Sequence, residues 1–173
     1  IVPESTQLVQ AAEAEQPLLH ETHLEPTINK KFNPTTIAPG ETSRLTVEIF
    51  NPNDYQLINT AFTDSMGQYL GAGNHSNLIL ADDPQAVSTC GGTVTAVPGS
   101  TEFSLANGVV PPKVGSVNGY CTVSVNVTGF ADGNWDNAIP VGALTAQDIP
   151  DSGYPIYNFS NTTPVQETLN IAA

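Results

Sequence analysis

Few residues in this 173-residue chain are equipped to do chemistry, and they are scattered. Cys90 and Cys121 are the whole thiol complement. A catalytic thiol needs a histidine partner, and His20, His23 and His75 lie far from both cysteines in sequence. A zinc site needs more ligands, and none cluster with either cysteine. Two buried thiols would suit a cytosolic protein, whereas an acidic, charge-poor chain of secreted type favours a structural disulfide. Closing that loop would stabilise the fold by about 3–4 kcal/mol.

The remaining polar candidates are weaker. The segment HETH at 20–23 places its histidines three apart, and the His-Glu-x-x-His register of a zinc protease fails at Leu24. Asp82-Asp83 and the pair Asp132 and Asp136 offer oxygen ligands for calcium, without the dense Asp/Asn/Gly spacing of a dedicated loop. They read as turn residues, and no metal or cofactor is expected. There is no Gly-x-Ser-x-Gly, no phosphate loop, and too little positive charge to hold an oxyanion, so the chain does not read as an enzyme. Asn74, Asn126, Asn158 and Asn161 each open an Asn-x-Ser/Thr sequon and are candidate glycan acceptors.

Composition narrows the setting. Four Lys+Arg against 17 Asp+Glu give a net charge of −13, the wrong sign for binding nucleic acid or an anionic membrane. No run of apolar residues reaches the length of a membrane-spanning helix. Only 12% of residues are charged, yet 39% are hydrophobic, so the chain can form a core and takes its polar surface from Thr, Asn and Ser. Such a composition, with 14 Gly and 14 Pro, suits a secreted all-β protein. The start at Ile1 reads as a processed chain from a secreted precursor, which places the protein outside the cell or at its surface.

The elements that must position these residues are short strands. Leu45, Val47 and Ile49 alternate with Thr46 and Glu48, and Cys121, Val123, Val125 and Val127 alternate with Thr122, Ser124 and Asn126. The disulfide would therefore sit on a core face. Further strands are expected at 27–32, 57–63, 92–97, 101–105 and 165–171. They are separated by breakers at Pro39-Gly40, Asn51–Asp54, Pro98-Gly99, Pro111-Pro112 and Asp132–Asn134. Seven or more short strands with regular turns indicate a β-sandwich over residues 27–173.

Residues 1–26 form a compositional unit of their own, with five Glu and no Lys, Arg, Gly or Cys. Residues 6–16 suit a short helix, while Leu18, His20, Thr22 and Leu24 alternate as an extended strand would. Extended, this arm would reach on the order of 80 Å, past the edge of its own domain.

From Pro26 onward the sequence resembles the Ig-like repeats of bacterial cell-surface and secreted proteins. The resemblance rests on residues 26–53 (PTINKKFNPTTIAPGETSRLTVEIFNPN), AFTDSM (61–66), 88–105, CTVSVNV (121–127) and NAIPVGALT (137–145). It implies an Ig-like β-sandwich with an N-terminal extension, an extracellular setting and a Cys90–Cys121 pair, and it implies no enzymatic chemistry. Segments 67–86, 114–120 and 146–164 are longer than in such repeats, which mostly occur in tandem arrays; one copy is present here. Some Ig-like surface proteins form Lys–Asn crosslinks. Lys30 or Lys31 would be the amine here, but that chemistry needs a buried carboxylate that the sequence does not single out.

Two functions fit. In the first, the chain is a structural subunit of an extracellular, pilus-like filament. Its arm adds as a β-strand to a neighbouring copy, with Leu8, Val9, Leu18, Leu19 and Leu24 filling side-chain pockets. In the alternative, it is an adhesin stalk or tip module. It would then bind a surface glycan or protein through Tyr69, Tyr154, Tyr157 and Phe159 in the two longer segments.

Overall fold

The computed structural model describes residues 22–67, 70, 77–149 and 155–173. The arm positions Leu8, Val9, Leu18 and Leu19, together with His20, Tyr69, Asn74, His75 and Tyr154, lie outside the described residues. In chain order the strands are β1 (Thr27–Asn33), β2 (Thr36–Ile37), β3 (Thr42–Asn51), β4 (Leu57–Ser65), β5 (Ile79–Leu80), β6 (Val87–Ser88) and β7 (Thr93–Ala96). They continue with β8 (Glu102–Val110), β9 (Gly119–Thr128), β10 (Gly133–Ile139), β11 (Thr145–Gln147), β12 (Asn158–Ser160) and β13 (Val165–Ile171). Among the described residues there is no helix.

Period-two alternation builds the first sheet. β3 and β9 pair antiparallel with Leu45 opposite Val125, Val47 opposite Val123 and Ile49 opposite Cys121, and all six side chains are buried. β1 adds on the outer side of β3, turning Ile28, Lys30 and Phe32 inward. The short β5 and β6 both pair with the far side of β9. A second sheet runs β12-β11-β4-β8-β7. It faces the first with Leu57, Phe62, Phe103, Leu105, Val110, Ala146 and Phe159, which join one continuous apolar core. A third sheet, β10-β13-β2, closes the side between them, with β13 beside β1 and β10 beside β4. The result is the all-β, Ig-like sandwich that the alternation and turn pattern imply.

The structure extends the strand reading with the short β2, β5, β6, β11 and β12, and at β8 and β10. β8 continues to Val110, beyond the strand end expected at Leu105 and up to the Pro111-Pro112 breaker, and β4 and β8 shift register around Thr60 to accommodate the extra residues. Asn59 and Asn107, both at positive φ, lie in this irregular stretch, where asparagine tolerates the left-handed region better than most residues. β10 starts at Gly133, inside the Asp132–Asn134 segment read as a breaker.

Cys90 and Cys121 are joined, with Sγ–Sγ 2.09 Å and Cα–Cα 5.0 Å. Cys121 belongs to β9 of the first sheet. Cys90 sits where the chain passes from β6 to β7, and its carbonyl accepts a hydrogen bond from Val109 N–H of β8 at 2.8 Å. The bond therefore ties the two main sheets together at one edge.

Candidate functional site: a buried lysine, aspartate and asparagine

Lys30 is turned into the core because it shares the parity of Ile28 and Phe32 on β1. It is only 1% exposed and is among the largest fully buried side chains. An ammonium in such a place loses nearly all its hydration and must find polar partners within the protein. Two side chains supply them. Asp64, on the inward parity of β4 with Phe62, accepts from Lys30 Nζ through Oδ2 at 2.7 Å. Asn137, from β10, accepts from Lys30 Nζ through Oδ1. Both partners are fully buried.

The three groups close a ring. Asn137 Nδ2 donates to the other oxygen of Asp64, Oδ1, at 2.9 Å, and to the carbonyl of Ser65 at 3.0 Å. One carboxylate therefore touches the lysine amine through one oxygen and the asparagine amide nitrogen through the other. The amide oxygen, in turn, faces the amine. Burial pushes the Lys30 ammonium below its ordinary pKa, opposed by Asp64 and, more weakly, by Glu167, which stands opposite Asn137 on β13. Burial thus favours the uncharged amine while Asp64 holds a ready proton acceptor against it.

Chemically, this is a nucleophile, a proton carrier and an acyl group in mutual contact, on three strands from separate parts of the chain. Of the two lysines named in the sequence reading, the structure distinguishes them sharply. Lys31 points outward and pairs with Glu48 at 2.6 Å. Asp64 and Asn137 are not among the site residues expected from the sequence, although both lie inside the stretches AFTDSM and NAIPVGALT.

The root of the N-terminal arm forms a second organised region. His23 stacks on Tyr157 with ring centroids 4.2 Å apart and nearly parallel planes, and its Nδ1 lies 2.9 Å from the Tyr55 hydroxyl. Asn53 binds both backbone groups of Leu24, accepting from its N–H at 2.9 Å and donating to its carbonyl at 2.8 Å. Glu25 accepts from the backbone N–H of Ser160 on β12 at 2.8 Å. Burial pushes the Tyr55 phenol up to about 12, helped by the carboxylates of Asp148, Asp54 and Glu25 and by Tyr157. Residues 23–25, within the expected arm, are thus docked on the body.

Other candidates fall into structural roles. Phe159 is buried in the core, where it cannot serve as a ligand surface, and Tyr157 is engaged by His23. Asn161 is fully buried; its side chain accepts from Leu144 N–H and donates to the carbonyls of Pro140 and Thr163, so its amide is closed to a glycan. The Asn126 side chain is held between Arg44 and the Asp83 carbonyl, while Asn158 is exposed and binds Gln147. Leu24 is 47% exposed beside its own domain. Asp82 and Asp83 line a surface cavity of about 430 Å³ with Phe130 at its wall, and Asp83 closes a local turn onto Gln85. Asp136 accepts from Thr168. Among the described residues no three His, Cys, Asp or Glu side chains form a metal-binding group.

The pattern of residues over 26–171 matches the family described as a domain of unknown function, DUF7933. The chain belongs to that family. No curated protein matches it. Among solved structures, the DUF7933 domain is similar to BcpA, the major pilin subunit of Bacillus cereus. The identity is 14% and the TM-score 0.47, covering 85% of this chain and 40% of the pilin. It is also similar to the C-terminal domain of the Streptococcus agalactiae AgI/II polypeptide BspA, at 15% identity and TM-score 0.42, covering 86% and 50%. A third likeness is to a Vibrio harveyi GH20 exo-β-N-acetylglucosaminidase, at 14% identity and TM-score 0.38, covering 82% and 18%. The DUF7933 chain thus spans half or less of the length of each of these proteins.

Proposed function

We propose that the protein is a structural subunit of an extracellular filament, joined to the next copy through its N-terminal arm. The observation that carries this reading is the root of the arm. Asn53 fixes the backbone of Leu24, Ser160 fixes Glu25, and Tyr157 fixes His23, so the chain just ahead of β1 is anchored to the body at a defined point beside edge strand β12. A segment projected from a fixed base toward a sheet edge of another copy gives a head-to-tail contact, which propagates as a fibre when it does not close. A disulfide between the main sheets fits an oxidising, extracellular setting. The charge of −13 disfavours close approach of copies at low salt, so assembly should strengthen as salt screens that repulsion.

The test is electron microscopy of the chain beside a version lacking residues 1–21, a cut that spares the docked residues 23–25. Filaments from the first and monomers from the second are expected at physiological salt. Monomers from both would refute arm-mediated polymerisation and return the arm to its own domain.

A further inference from the structure

We propose that Lys30 and Asn137 become covalently joined by an intramolecular amide bond that the folded chain makes itself, with Asp64 carrying the proton. Contact alone does not distinguish this from a buried ion pair. What does is the way the third group is arranged. A buried ion pair asks only that Lys30 and Asp64 satisfy each other. Here the acyl group of Asn137 is held against the amine, and its departing nitrogen is held against the same carboxylate that receives the amine's proton. Nucleophile, proton carrier and leaving group are aligned around one site from which bulk water is excluded, since all three side chains are buried.

The steps balance without any outside reagent. Lys30 Nζ gives a proton to Asp64 Oδ2 along their 2.7 Å hydrogen bond, which leaves a neutral amine and a neutral acid. The free amine pair attacks Cγ of Asn137, and the carbonyl π pair moves onto Oδ1. Asp64 then delivers a proton to Nδ2, which its other oxygen already contacts. The carbonyl re-forms, the Cγ–Nδ2 bond breaks, and nitrogen leaves as ammonia. A further proton lost from the attacking nitrogen restores the bookkeeping: one ammonium and one ionised Asp64 result, and the new bond is Nζ–Cγ. Nothing is oxidised or reduced. The lowered pKa of Lys30 favours the first step, and loss of ammonia from the enclosed site drives the last.

The bond would link β1, the first strand of the body, to β10, which pairs along its length with the final strand β13. It would join elements that share no ladder hydrogen bonds, across the gap between the first and third sheets.

Intact-mass measurement of the folded, disulfide-bonded chain tests this directly. A mass about 17 Da below that of the oxidised sequence is expected, one ammonia lost. After digestion, a branched peptide joining the segment around Lys30 to the segment around Asn137 should appear, with no tryptic cut after Lys30. Lys30→Arg and Asp64→Asn should each restore the full mass, and circular dichroism reports whether each variant still folds. A full mass in the folded, unsubstituted chain would overturn the proposal, whatever the variants do. So would a loss of about 17 Da that persists in Lys30→Arg, because that marks cyclisation at an asparagine rather than attack by the lysine. The mass readout is independent of assembly: a crosslinked chain that stays monomeric sinks the filament and keeps the bond, and an uncrosslinked chain that forms fibres does the reverse.

Discussion

At Lys30 the cost of burial decides what its neighbours must be. An ammonium left in the core without a partner is far worse than an apolar side chain of similar size, and removing one member of a buried pair typically costs about 3–5 kcal/mol. Asp64→Ala should therefore be strongly destabilising, since it strands Lys30 with only the amide oxygen of Asn137. The double variant Lys30→Met, Asp64→Leu removes both charges and should be markedly more stable than Asp64→Ala. Neither variant can form the lysine–asparagine bond, so the comparison isolates the electrostatic term. Urea denaturation of the two variants is the measurement; a double variant no more stable than Asp64→Ala would show that the burial argument is wrong. The role of Lys30 was partly legible beforehand. In TINKKF it occupies the parity of Ile28 and Phe32, so a strand with an apolar inner face must bury Lys30 and expose Lys31. Asp64 stands in the same relation to Phe62, one place in the alternation further along. A charged residue at a core position of an alternating strand was the available signal, and it appears twice.

What the sequence hid lies at the scale of elements. Strands β1, β3, β9 and β13 are clean alternations or dense β-formers between strong breakers, and their limits follow from those features. β10 has neither property. Its sequence GNWDNAI opens with turn-forming residues, and its last three residues are all buried, because β10 is a side-closing strand that touches more than one sheet. Without that strand Asn137 has no place beside Lys30, and the cluster cannot be assembled on paper. β11 and β12 were hidden similarly, as three-residue pairings inside what reads as a loop. Close approach of backbone segments is another property that only the folded chain displays. Gly119 opens β9, and a Cβ there would lie 1.9 Å from the Pro111 carbonyl oxygen and 2.5 Å from that of Pro112. Both obstacles are backbone, so Gly119→Ala must displace the Pro111-Pro112 segment or the start of β9. A loss of about 3 kcal/mol is expected. Gly67→Ala, which meets nothing within 4 Å, serves as the control and should shift stability by less than about 0.5 kcal/mol. Thermal melts of the two variants check the contrast; equal melting temperatures would mean that the Pro111-Pro112 segment yields freely.

For the whole molecule, the consequence of the Lys30–Asn137 bond is mechanical. When the chain is pulled through its two termini, the load enters ahead of β1 and leaves after β13. With the bond in place, tension entering at Lys30 passes directly to Asn137, and residues 31–136 lie outside the loaded path. That protected segment contains the β3–β9 and β4–β8 ladders and the Cys90–Cys121 bond. Only the stretch from Asn137 to Ile171 and the few residues before Lys30 can extend. At about 3.5 Å per residue, unfolding then releases roughly 130 Å of chain. In Lys30→Arg the whole body lies in the path except the loop closed by the disulfide, and the release rises to roughly 400 Å. Single-molecule pulling on terminal handles distinguishes these lengths easily, and adding a reductant should lengthen the release in Lys30→Arg while leaving that of the unsubstituted chain unchanged. Equal release lengths in the two proteins would remove any load-shielding role from the bond. The threefold difference, with reductant acting only on the variant, would show that the two crosslinks are nested. The inner one joins the sheets, and the outer one carries the force past them.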